Sequence, residues 1–274
     1  MIQPVADVDR ISDTEFGQFQ RFIFEAAGIT LTDAKKALVS GRLAKRLHAC
    51  QVKSYSEYFR LLTSGESPLE MQTAVDLLTT NETYFFREPK HFQFLKQEIT
   101  GGALRGPSLR VWSAASSTGE EAYSVAMLLE DCLPGRPWEV VGSDISTRVL
   151  DRARAGHYSM QRIGQVPTGY LQRFCLKGHD AQEGTLLVQR ALRNKVRFLQ
   201  VNLNEPLPHL GAFEVILLRN VLIYFSLETK RKVVARVLNL LKPGGYLLIG
   251  HSESLVEVTD TVELLAPAIY RKSP

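Results

Sequence analysis

The chain holds 274 residues, with 33 lysines and arginines against 29 aspartates and glutamates, for a formal net charge of +4. Hydrophobic residues make up 45% and charged residues 23%, which excludes a highly charged disordered protein and supplies enough apolar material for a globular core. Apolar runs such as Val215 to Leu218 and Tyr246 to Ile249 fall far short of the roughly 20 residues that cross a bilayer. Direct membrane insertion is therefore not expected. With no basic segment leading into an apolar run at the start, a cytoplasmic location is expected. Cys50, Cys132 and Cys175 are scattered and odd in number, so neither a disulfide framework nor a metal site is expected.

Phe16, Phe19, Ile23 and Phe24, then Tyr55, Tyr58, Phe59 and Leu62, recur at helical spacing and predict short packed helices over residues 1–80. Residues 34–56 hold Lys35, Lys36, Arg42, Lys45, Arg46 and Lys53 without an acidic side chain. Arg42, Lys45 and Arg46 share one helix face, with Leu43 and Leu47 turned another way. Such a face steers an acidic partner, although a solvated surface is the more ordinary explanation of a charge run. Residues 81–108 read as a linker, and the cluster Gly101, Gly102, Gly106 and Pro107 reads as the border between units.

From residue 109 the pattern alternates. Strands are predicted at 109–115, 138–145, 196–201, 213–218 and 246–250, and helices at 119–133, 147–155 and 227–241, with a turn at Lys242-Pro243-Gly244-Gly245. This rhythm implies an α/β domain with a mainly parallel sheet covered on both faces. The stretch 173–193 breaks the rhythm and is predicted as a small β insertion.

Ligands of such sheets bind beyond the carboxyl ends of the strands. The first loop there, Ala114 to Glu121, is made of small residues ending in Glu120 and Glu121. It matches neither a dinucleotide fingerprint nor a phosphate loop, and its two acids would repel a pyrophosphate while attracting a cationic amine or sulfonium. That favours S-adenosylmethionine, although acids also suit the first turn of any helix. Asp144, at the end of the next strand, suits a ribose diol, or a helix cap. In Asn220-Val221-Leu222-Ile223-Tyr224-Phe225, Val221 and Leu222 stand where amine-directed methyltransferases carry prolines, which argues against a nucleic-acid base as acceptor; Tyr224 and Phe225 also fit a core. Upstream, Asn81 to Pro89 mixes polar and aromatic residues, with Arg87 able to fork onto a carboxylate or to remain a surface charge.

Together, Asn81-Glu82-Thr83-Tyr84-Phe85-Phe86-Arg87-Glu88, Val111 to Ser124, Gly142-Ser143-Asp144-Ile145, Arg219 to Phe225 and Gly250-His251-Ser252-Glu253 closely resemble the CheR family of bacterial chemotaxis protein methyltransferases, in order and over nearly the whole chain. The resemblance implies an N-terminal all-helical domain and a Rossmann-like S-adenosylmethionine-binding domain carrying a β insertion. It implies methylation of chemoreceptor glutamates to glutamyl methyl esters, releasing S-adenosyl-L-homocysteine and serving chemotactic adaptation. Residues matching the family's cofactor site are Asn81, Thr83, Arg87, Glu121, Asp144, Asn202, Leu203, Asn220 and Val221. Arg87 and Tyr224 are the expected lining of the transfer site. Arg42, Lys45 and Arg46 would meet the receptor's methylation helices, and some members bind a receptor C-terminal peptide through the insertion. Methylation of RNA or a small molecule, and a silent cofactor-binding sensor, are the competing readings.

Overall fold

The structure, a computed structural model, describes residues 10–273. Contacts divide the chain into two compact units, Met1–Thr80 and Asn81–Pro274. No helix among the described residues is long and apolar enough to cross a membrane.

The first unit is helical. Helix α1 (Asp13–Ala27) starts at a reciprocal cap, in which Ser12 Oγ accepts from the Glu15 amide and the Glu15 carboxylate accepts from the Ser12 amide, satisfying two otherwise orphaned donors. The other oxygen of Glu15 accepts from the amide and hydroxyl of Ser56, joining α1 to α3 (Tyr55–Thr63). Helices α2 (Lys36–Ala49) and α4 (Pro68–Leu78) complete the unit. Phe16, Phe19, Ile23, Leu43, Leu47, Tyr58 and Leu62 are buried as the spacing predicts, whereas Phe24 is exposed and Phe22 takes a buried place instead.

The basic face of α2 is not simply solvated. Arg42 Nη1 donates to the carbonyls of Leu77 and Thr79 at 3.0 and 2.9 Å, capping the carboxyl end of α4. Arg46 forks onto Glu70 at 2.9 and 2.5 Å, and the Tyr58 hydroxyl donates to the same carboxylate at 2.5 Å. Lys45 is exposed. Two of the three residues expected to face a receptor therefore also tie α2 to α4.

The second unit is built on a seven-stranded sheet. Its strands are β1 (Leu109–Ser113), β2 (Trp138–Asp144), β6 (Val196–Gln200), β7 (Phe213–Leu218), β8 (Leu241–Ile249), β9 (Val262–Ala266) and β10 (Ile269–Lys272), in the order β6-β2-β1-β7-β8-β10-β9. The first five are mutually parallel; β10 runs antiparallel to β8 and β9. Val111, Val140 and Val215 lie in register across three strands and share one core with Phe92, Leu95 and Ile99 of α5 (Pro89–Thr100) and with Val125, Ala126 and Leu129 of α6 (Glu120–Cys132). The predicted linker 81–108 thus contains a core helix, and its apolar face places it in the second unit. Gly101 to Pro107 form the loop from α5 into β1, not a border.

Two further predictions are corrected. Lys242 to Gly245 do not precede a strand; they bulge within β8, because Leu241 already pairs with Phe213 and Tyr246 resumes beside Val215. The insertion is a three-stranded sheet, β3 (His157–Ser159), β5 (Thr185–Val188) and β4 (Cys175–Lys177), so it begins upstream of residue 173. An open cavity of about 500 Å³ beside it is lined by His157, Leu176, Lys177, His179, Gln182 and Leu187.

In the first unit, Glu70→Ala leaves Arg46 and the Tyr58 hydroxyl without their shared acceptor. A loss of about 1–3 kcal/mol is expected, read by urea unfolding, with amide exchange faster in α2 and α4.

Candidate active site

Parallel strands deliver their carboxyl ends to one edge, so the loops after β1, β2, β6, β7 and β8 gather there. The loop 114–119 is held tightly. The Ser116 amide donates to the Ser143 carbonyl at 2.8 Å, and the Ser117 amide donates to Asp144 Oδ2 at 2.9 Å. Gly119 enters α6 at φ 94°, where a Cβ would sit 2.8 Å from the Ala153 Cβ; only glycine allows that approach. Asp144 Oδ1 accepts from the Ser146 amide at 3.0 Å, which fixes the carboxylate's orientation.

The residues after β7 bring the second part of the site. Arg219 is 4% exposed. Its Nη1 donates to Glu121 Oε2 at 2.8 Å, its Nη2 to Glu88 Oε2 at 2.9 Å and also to the Arg87 carbonyl. Glu121 Oε1 accepts from the Ser113 hydroxyl at 2.6 Å. Glu88 Oε1 accepts from Asn220 Nδ2 and from the His251 amide, both at 3.2 Å. One guanidinium therefore links the segment 81–88, the first turn of α6 and the loop after β7.

A third network joins the insertion to the same edge. Glu120 is wholly buried; it accepts from the Thr118 hydroxyl at 2.6 Å and from Arg162 Nη1 at 2.9 Å. Arg162 also donates to the Thr83 carbonyl, and its own carbonyl accepts from the Phe85 amide, both at 3.3 Å.

The site residues expected from the sequence divide as follows. Asn81 and Asp144 meet through Ser117, whose hydroxyl donates to the Asn81 carbonyl at 2.9 Å while its amide binds Asp144. Asn202 and the buried Leu203 follow β6 beside Asp144, since the Val201 amide donates to the Asp144 carbonyl; Asn202 Oδ1 accepts from the Asn204 amide. Arg87, Glu121 and Asn220 are gathered by Arg219. The Arg87 guanidinium turns back on its own segment, donating to the Glu82 carbonyl at 2.8 Å and lying 5.9 Å from the Tyr84 ring centroid. Val221 and Tyr224 are half-buried in the loop after β7. Arg42, Lys45 and Arg46 belong to the other unit. The sequence reading missed Arg219, Glu88, His91 and Arg162. Arg219 had a signal: a cation directly after the apolar run Val215 to Leu218 must find anions where the strand ends.

His91 is fully buried, and neither ring nitrogen makes a hydrogen bond. Its Nδ1 lies 3.4 Å from Glu88 Oε2, and its ring stacks edge-on against His251 at 4.8 Å. The three ligand atoms of Glu88, His91 and His251 fall within 4.8 Å of one another, but Arg219 already occupies Glu88 Oε2 and would repel a dication there. Burial holds His91 down to about 3, helped by the charge of Arg219. For Glu88 burial acts the other way, yet the charge and hydrogen bond of Arg219 outweigh it and hold its carboxyl down to about 2. Burial pushes the Glu121 carboxyl up, against the pull of Arg219 and Ser113.

The downward shift of His91 sets an acid limit. A histidine kept neutral when folded protonates preferentially when unfolded, so its contribution is present above pH 6.5 and is lost as pH falls toward about 3. The unfolding free energy is expected to decline from pH 6.5 downward, and His91→Phe should flatten that decline, as read by urea unfolding at pH 7 and pH 5.

Comparison with known proteins supplies a relationship. Residues 81–270 match the family described as CheR methyltransferase, SAM binding domain, and residues 14–79 match that described as CheR methyltransferase, all-alpha domain. A chemotaxis protein methyltransferase from Salmonella typhimurium is 39% identical over 267 residues, covering 96% of this chain and 91% of that protein. The Escherichia coli protein of that name is 39% identical over 269 residues, covering 96% and 92%. Chemotaxis protein methyltransferase 2 from Pseudomonas aeruginosa is 39% identical over 259 residues, covering 93% and 92%.

Proposed function

Because the chain belongs to the CheR methyltransferase family, we propose that it transfers methyl from S-adenosyl-L-methionine to glutamate side chains of chemoreceptors, giving glutamyl methyl esters and S-adenosyl-L-homocysteine. The observation that carries this reading is the likeness to chemotaxis protein methyltransferases across both units of the chain.

The residues at the strand tips fit the donor. Asp144, held by two amides, offers a carboxylate to a ribose diol. Glu121, in the first turn of α6, offers negative charge to an amine, and the loop 114–119 holds no cation for a phosphate. Asn81, Thr83, Arg87, Asn202, Leu203, Asn220 and Val221 would complete the binding surface. Bound there, the donor supplies an electrophilic methyl group on a sulfonium.

The protein's own task is then mainly alignment. A glutamate side chain, with an ordinary pKa near 4.3, is already ionised at neutral pH and needs no general base. Attack by an anion on a cation disperses charge, so excluding water and fixing the approach carry most of the acceleration. Arg87 and Tyr224 would line this region, Arg87 swinging from the Glu82 carbonyl toward a carboxylate and Tyr224 donating a hydrogen bond.

Receptor docking is assigned to the α2 face, with Lys45 as its freest cation. A receptor C-terminal peptide would meet the insertion, where β4 is an edge strand, Leu176 is half-exposed and Lys177 borders the cavity; exposed strand edges accept peptides by adding a strand.

The test uses purified protein, receptor and methyl-labelled donor. Label entering the receptor should be released as methanol by mild base, as an ester requires; label that survives, as an N-methyl group would, contradicts the proposal. Arg87→Ala should lower receptor methylation at saturating donor by roughly tenfold or more.

A further inference from the structure

Strands β7 and β8 are parallel neighbours in register at Leu218 and Ile249, so Arg219-Asn220 and Gly250 leave the sheet side by side. One carboxylate joins the two exits. Glu253 Oε2 accepts from the amides of Asn220 at 2.9 Å and Gly250 at 2.6 Å, and Oε1 accepts from the Ile223 amide at 3.2 Å. The approach leaves no room for a side chain at 250: a Cβ there would lie 2.5 Å from Asn220 Nδ2 and 2.8 Å from Glu253 Oε2. Asn220 lies in the left-handed region at φ 56°, which asparagine enters more readily than other side chains but which still needs support from its surroundings. Three amides converging on one carboxylate supply that support.

The loop so held carries Arg219, which binds Glu88 and Glu121, and Tyr224, assigned to the transfer site. We propose that Glu253 is a positioning residue for methyl transfer, fixing the loop 219–224 so that Arg219, Asn220 and Tyr224 keep their places. The inference rests on the function proposed above. Of the residues assigned to the donor, Asn220 and Val221 lie on the loop that Glu253 holds, while the other seven lie on other segments. Losing the carboxylate should therefore disturb transfer more than donor binding.

The test compares wild type, Glu253→Ala and Glu253→Gln as full chains. It reads amide exchange at 220, 223 and 250, S-adenosylhomocysteine binding by calorimetry, and kcat and KM with receptor. In Glu253→Ala, exchange at Asn220 and Ile223 should accelerate, and kcat should fall roughly 10- to 100-fold, the scale of hydrogen bonds to a charged acceptor. The KM for the donor should rise by less than kcat falls. Glu253→Gln, which retains one oxygen for the shared Asn220 and Gly250 position, should recover part of kcat. Wild-type kcat in Glu253→Ala overturns the inference, as does a fall in kcat matched by an equal loss of donor affinity and of thermal stability. If Glu253→Ala does not fold, Glu253→Gln decides: reduced kcat with a native exchange pattern elsewhere supports the role, and wild-type kcat refutes it. Wild type that neither binds S-adenosylhomocysteine nor methylates receptor defeats the proposed function instead, while the exchange comparison still reports whether Glu253 holds the loop.

Discussion

Arg219 brings a full positive charge to a position 4% exposed, and a buried charge persists only where anions and hydrogen bonds meet it. Glu88, Glu121 and the Arg87 carbonyl meet it here. Those partners come from two separated stretches of chain and Arg219 from a third, so the arrangement closes only when α5, α6 and β7 are all in place. Breaking one side of a buried pair costs about 3–5 kcal/mol, so this contact ties the segment 81–88 to the loop after β7. The two acids also respond differently to sharing one cation: Glu88 is held down to about 2, whereas the Glu121 carboxyl is pushed up by burial.

Backbone strain gathers at the same edge of the sheet. Phe86, Glu88, Ser117 and Asn220 all adopt left-handed φ, at 54°, 59°, 49° and 56°, each at a cost of about 1–3 kcal/mol. Each has a partner that imposes it: the Phe86 amide donates to the Ser124 hydroxyl, Glu88 is gripped by Arg219, the Ser117 amide by Asp144, and the Asn220 amide by Glu253. Two aromatic residues of this segment, Phe85 and Phe86, act as anchors. Phe85 packs edge-on against Tyr158 and Phe86 lies beside Phe92. They fix where Asn81 and Thr83 can stand.

The parallel core was legible because its strands, buried on both faces, read as continuous apolar runs between helical patterns. Strand β9 was not, since Glu263, Leu264 and Leu265 are exposed and show no alternation. Strand β3 is three residues long and defined by its pairing with β5, which no local pattern announces. The glycines of Lys242 to Gly245 signal a turn equally well whether it ends a strand or bulges one. In the site, Glu121 and Asp144 were readable from their place at strand and helix ends, whereas Glu88, His91 and Glu253 matter through partners more than 30 or 130 residues away. The arginines of α2 show the converse: a helical wheel places Arg42 and Arg46 on a polar face, but long side chains reach over it to α4.

Methyl transfer by this chain requires the acids at the strand tips to receive a donor with a cationic amine and a ribose. Calorimetric titration of S-adenosylhomocysteine into the wild type and into Asp144→Ala tests this most directly. Saturable one-to-one binding, weakened roughly tenfold or more by the substitution, is the predicted result. Absence of binding by the folded wild type, or equal affinity in the two proteins, would contradict it.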